Sequence, residues 1–157
     1  MVLGERVPVL ISYILAALLS LSPVLRKDVP RAERYAADIV AAAQGDVDLA
    51  LTLVVTAEGE SRFRTAVETC REVGDGGNSV TMYQLNRWSG SWNGSTQAQL
   101  CADNTLATKR AAEWLIMLRL NTGGWRGAIR AYIGCDMGDP RVQRRVRNFR
   151  RLKGGVT

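Results

Sequence analysis

The chain has no histidine among its 157 residues. That removes Ser-His-Asp and Cys-His nucleophile systems and most catalytic zinc sites, all of which need an imidazole. Cysteines are scarce: Cys70, Cys101 and Cys135. None forms a Cys-x-x-Cys pair, so thiolate metal ligation has no framework. Aromatics make up only 6% of the chain. Acids are missing altogether from residues 141–153, which hold seven arginines and lysines. The formal net charge of +6 is therefore a C-terminal feature, and the other residues are nearly neutral in sum. Chemistry here must rest on carboxylates, amides, hydroxyls or thiols.

What remains is globular. Apolar residues are 46% and charged residues 23%, the balance of one folded domain of this length. Three segments are expected: an apolar stretch at 1–27, a main domain at 28–140, and a basic helix and tail at 141–157. Residues 7–25 carry no charge and are close to the length of a membrane span. Pro8 and Pro23 confine the good helical part to Val9–Ser22, which fits a signal, a membrane anchor or a buried helix.

Pro30 opens a helix whose apolar positions Ala32, Tyr35, Ala36, Ile39, Val40 and Ala43 recur at threes and fours. Gly45 stops it. Asp46 or Asp48 caps a second helix from Val47 to about Glu60. That helix is apolar nearly all round and belongs in the middle of the domain. Residues 64–104, rich in Gly, Ser, Asn and Asp, read as a loop-rich insertion with room for a small β-hairpin. Asp103 or Asn104 opens a helix to Leu120, with Leu106, Ala107, Arg110, Ala111, Trp114, Leu115 and Leu118 on one face. Further helices follow at 125–135 and 141–153, the last with a narrow stripe of Val142, Val146 and Phe149. The fold class is all-α, or mainly α.

Glu60 stands out because it closes the apolar run Leu49–Ala57. A solvent-poor wall favours a protonated carboxyl, which can act as a general acid. Glu58, two residues away, points to a different side of the helix. Asp75 is a candidate second carboxylate or a turn residue. Glu68 and Glu72 read as exposed. Trp88 and Trp92 bracket a Ser-Gly-Ser loop and could stack on a ligand or cover the core. If the domain is exported, one disulfide with one thiol left over is the simple reading. Cys70–Cys101 is the favoured pair because both flank the loop region, although all three thiols could be free.

Three pieces occur in order: Glu60-Ser61-Arg62-Phe63, Ser79 through Gln84, and Arg130-Ala131-Tyr132. Together they resemble the lytic transglycosylase and goose-type lysozyme family over roughly residues 31–137. That family has Glu-Ser-x-Phe, then Ser-x-Gly-x-x-Gln, then an Ala-Tyr-Asn-like motif. The chain departs from it at Thr81, where Gly is usual, and at Ile133, where Asn is usual. The resemblance implies a lysozyme-like fold and cleavage of the MurNAc–GlcNAc β-1,4 bond of peptidoglycan. Glu60 would be the sole acid/base, with Ser79, Gln84 and Tyr132 as substrate contacts, and no cofactor or metal. It implies a cell-envelope or phage-associated setting, as a wall-remodelling enzyme, an endolysin or a virion-borne enzyme. The alternative is an inactive lysozyme-fold component of an envelope or virion assembly. The basic helix and the apolar N-terminal segment would contact a membrane or an anionic envelope polymer, with nucleic acid the least favoured partner.

Overall fold

Helix α4 (Val47–Ser61) runs through the centre of the protein. In the computed structural model, which describes residues 3–155, every side chain from Leu49 to Ala57 is buried. The sequence explains this position: a helix without a polar face has to be surrounded. Around it pack α1 (Leu3–Leu21), α3 (Val29–Ala43), α7 (Asn104–Thr122), α8 (Trp125–Ile133) and α9 (Pro140–Gly154). Each fully buried Leu, Val or Ile in such a core stabilises the fold by about 2 kcal/mol relative to exposure.

The helix ends follow local chemistry. Asp28, Asp46, Asp103 and Asp139 cap α3, α4, α7 and α9, each accepting a backbone N–H. Gly123 and Gly134 close α7 and α8 in the left-handed conformation. Ser22 caps α2 (Pro23–Arg26), a single turn that starts on its proline.

Segments expected at 1–27, 28–140 and 141–157 share one core, although residues 1–2 and 156–157 lie outside the described residues. Helix α1 buries Ile14, Ala17 and Leu18, and the Tyr13 hydroxyl donates to the Leu152 carbonyl in α9. Helix α1 also runs through Pro8 rather than starting after it. Pro8 is the sixth residue of this helix, so it forfeits one backbone hydrogen bond to the preceding turn. Among the described residues, no helix is long and apolar enough to cross a membrane. Helix α9 buries Val142, Val146 and Leu152, while Phe149 is only partly covered.

The insertion contains short elements: α5 (Thr65–Glu68), a 3₁₀ turn at Asp75–Gly77, and two strands. Strand β1 (Ser79–Val80) pairs antiparallel with β2 (Leu85–Asn86), with Ser79 opposite Asn86 and Val80 opposite Leu85. Helix α6 (Gln97–Ala102) was not anticipated. Thr96 and Gln99 form a reciprocal capping box at its start, a Thr-x-x-Gln signal visible in the sequence. A disulfide joins Cys70, just past α5, to Cys101 in α6, and Cys135 remains a free thiol. The whole is mainly α with one small β-hairpin.

Candidate functional site

Glu60 sits in the last turn of α4 with its side chain 21% exposed. The apolar wall expected around it is interrupted by a charge. Arg145 of α9, only 5% exposed, donates from Nη1 to Glu60 Oε1 at 2.8 Å. Two residues earlier Glu58 meets Arg144 at 3.4 Å. The reason is geometric: α9 runs antiparallel along α4, from Arg145 at Glu60 to Lys153 at Asp48, and two adjacent arginines reach two carboxylates spaced by two residues. Gly59 lies between them. A Cβ there would stand 2.1 Å from Arg145 Nε and 2.6 Å from Cζ, so the guanidinium rests directly on the bare backbone of α4.

Tyr132 approaches the same place from α8. Its hydroxyl donates to the Tyr83 carbonyl at 2.7 Å, tying α8 to the tip of the β-hairpin. Burial pushes its pKa well above the usual tyrosine range. The Glu60 charge adds to that shift and the Arg145 charge opposes it. Glu60, Tyr132 and the hairpin turn are thus brought together from three separate stretches of chain.

The turn itself is unusual. Thr81 has φ of +69° and is buried. A β-branched residue seldom adopts this left-handed conformation, which suits glycine. Local bonds hold it in place. The Thr81 carbonyl accepts from the Gln84 backbone N–H and from Gln84 Nε2, both at 3.0 Å, and Thr81 Oγ1 accepts from the Tyr83 N–H at 3.3 Å. Gln84 therefore spends its amide within the hairpin, against Gly74, where a Cβ would be 2.3 Å from Gln84 Oε1.

Ser79 and Asp75 form a second small cluster. The buried Ser79 hydroxyl donates to Asp75 Oδ2 at 2.5 Å, and Asn86 Nδ2 donates to both, at 3.1 Å to Ser79 and 3.3 Å to Asp75. This cluster fixes the base of the hairpin and leaves the Asp75 residue exposed. The two tryptophans divide. Trp92 Nε1 donates to the Leu85 carbonyl, joining its loop to the hairpin. Trp88 is 75% exposed, with the Arg87 guanidinium 4.8 Å from its ring centre.

Glu68 is not the solvated carboxylate expected. Its side chain is 20% exposed and accepts from Arg31 Nη2 at 2.9 Å and from the Tyr35 hydroxyl. Glu72 is exposed, paired with Arg64. Sequence reading also missed Arg145 as the partner of Glu60. The one local hint was Gly59, a poor helix former inside an otherwise strong helix, which often marks a close approach.

Three surface cavities are formed elsewhere: between α3 and α7 around Asp38 and Ile116, beside α7 around Ser89 and Trp114, and over Gly134–Asp139. Glu60, Asp75, Ser79, Gln84 and Tyr132 line none of the three. Among the described residues, no cluster of three or more His, Cys, Asp or Glu side chains could hold a metal ion. Comparison with known proteins adds no relative: no family model, no curated protein and no solved structure matches this chain.

Proposed function

We propose that this chain is a peptidoglycan-cleaving glycosidase of lysozyme-like fold, a lytic transglycosylase or muramidase, with Glu60 as its single acid/base. The observation that carries the reading is the hairpin turn. Thr81 stands where the resembled family has glycine, and it keeps the glycine conformation at φ +69°. The same turn accepts the Tyr132 hydroxyl beside Glu60. A sequence departure that preserves an unfavourable backbone conformation, bonded to the Tyr132 motif, argues for a shared architecture.

In the reaction, protonated Glu60 gives its proton to the glycosidic oxygen as the bond to MurNAc breaks through an oxocarbenium-like transition state. The resulting carboxylate then takes a proton from water, giving a hydrolysed end, or from the sugar's own C6 hydroxyl, giving an anhydro end. Tyr132 holds the turn in place and keeps its proton throughout, since burial opposes ionisation. Glu60 keeps 21% exposure, so a glycan strand would reach it from the solvent side. The Cys70–Cys101 disulfide favours an oxidising compartment, in keeping with the cell envelope. The outward arginines of α9, Arg147, Arg150 and Arg151, suit an anionic polymer or membrane there.

A second reading is a lysozyme-fold protein that serves as a structural part of an envelope or virion assembly. The Glu60–Arg145 ion pair favours it, because a carboxylate held by a guanidinium is not ready to donate a proton. The test is release of muropeptides from purified peptidoglycan, read by mass spectrometry, with Glu60→Gln alongside. The glycosidase reading expects wild type to release fragments and Glu60→Gln to lose at least about a hundred-fold. No release from either protein supports the structural reading, and equal release by both would mean that Glu60 is not the acid.

A further inference from the structure

We infer that Arg145 is a latch on Glu60: the α9 guanidinium, seated on Gly59, occupies the carboxylate in the resting protein and must withdraw before Glu60 can engage a substrate. This rests on the glycosidase reading of Glu60 and adds a control element to it.

Three observations support the latch. Arg145 is almost wholly buried yet, among the described residues, makes one side-chain hydrogen bond, to Glu60, and finds no partner for its buried Nε. A buried N–H without an acceptor is costly, so this guanidinium is poorly satisfied where it lies. Glu60, by contrast, keeps 21% exposure and can exchange the guanidinium for water or a ligand. Gly59 supplies the seat, because any side chain at that position would occupy the space of Nε and Cζ. A helix that is otherwise rich in good helix formers therefore carries a poor one at the single position where Arg145 lies flat.

Other charges around Glu60 do not replace this contact. Arg141, also on α9, feels the Glu60 charge but bonds to Asp139. Tyr132 on α8 is neutral and its hydroxyl is committed to Tyr83. Glu58, on α4 itself, is partnered by Arg144. Among these groups Arg145 alone makes a direct bond to the Glu60 carboxylate.

Two variants break the latch by different routes. Arg145→Met removes the charge and keeps the length of the side chain. Gly59→Ala keeps the charge and denies it the seat, and alanine favours the helix. Initial rates of muropeptide release from purified peptidoglycan are measured for wild type and both variants, with Glu60→Gln as the blank. Both variants are expected to release fragments at least about ten-fold faster than wild type, the effect of losing one charge-assisted hydrogen bond to the carboxylate. Rates no higher than wild type in both variants, with folding verified by circular dichroism, overturn the latch. The two readings fail separately. If wild type cleaves and neither variant is faster, the latch falls and the glycosidase reading stands. If neither wild type nor either variant releases fragments, the glycosidase reading falls.

Discussion

Two arginine–glutamate–tyrosine groups sit at opposite ends of the argument. In the first, Arg31 on α3 donates to Glu68, to the Phe63 carbonyl at 2.6 Å and, through Nε, to the Tyr35 hydroxyl, which itself donates to Glu68. Every member bonds to the others. In the second, Arg145 makes one bond to Glu60 and leaves Nε without a partner among the described residues, and Tyr132 turns away to the Tyr83 carbonyl. Both arginines are buried, at 8% and 5% side-chain exposure. The difference lies in satisfaction, not depth. The closed group has the character of a structural clamp between α3 and the segment after α4. The open group has a donor to spare, which marks it as the one that can rearrange at modest cost.

The sharpest way to break this contrast is to remove each arginine. Arg31→Met should destabilise the protein by about 3 kcal/mol, because it strips a bonded partner from Glu68, Tyr35 and the Phe63 carbonyl at once. Arg145→Met should cost no more than about 1 kcal/mol, since a poorly satisfied group is lost with it. Denaturant unfolding of the two variants reads the difference directly. Equal losses would make Arg145 a second clamp and erase the distinction.

A smaller effect concerns the turn that joins the open group to the hairpin. Thr81→Gly should stabilise the protein by about 1 kcal/mol by relieving a left-handed threonine. Both variants discard the Oγ1 bond to Tyr83, and Thr81→Ala should fall below Thr81→Gly because it alone keeps a Cβ at φ +69°. If alanine matched glycine in the same unfolding assay, the turn would not be strained.

The smallest expected effect is in alkaline behaviour. All four tyrosines have raised pKa values, with burial the first cause for each. A raised value in the folded state means the stabilising contribution is intact below about pH 10, the ordinary tyrosine value, and is lost as pH climbs through the folded values. Tyrosinate absorbance should therefore appear late and together with unfolding. Glu60→Gln should bring Tyr132 down slightly, since the Glu60 charge raises it, and should leave Tyr35 alone. A shift at Tyr35 and none at Tyr132 would mean that Glu60 and Tyr132 do not sense each other.

Much of the helical frame was legible because it follows short-range rules. The spacing of Ala32, Tyr35, Ala36, Ile39 and Val40 is the buried face of α3, and the all-apolar run of α4 is its burial. Aspartates at helix starts can be read from the chain alone. The Glu60–Tyr132–hairpin convergence was anticipated only through the resemblance, since nothing local says that residues 60, 83 and 132 meet. Arg145 was out of reach for the same reason: 85 positions separate it from Glu60, and in a run of seven cations nothing distinguishes the one that turns inward. Glu68 was misread because its neighbours Thr65 and Thr69 are polar and exposed. Its burial comes from Arg31 and Tyr35, more than thirty residues upstream.

The Cys70–Cys101 bond makes a covalent ring of the segment that carries Thr81, Gln84, Trp88 and Trp92. A ring has no free ends, so proteolytic nicking at an exposed position such as Trp88 would leave both fragments attached to the body of the protein. Reduction would change that at once. The two pieces would then be held by non-covalent packing alone, chiefly α4 against α9 and α3 against α7. The same loop would thus be durable or expendable depending on the thiol chemistry of its surroundings, with no change in its folded shape.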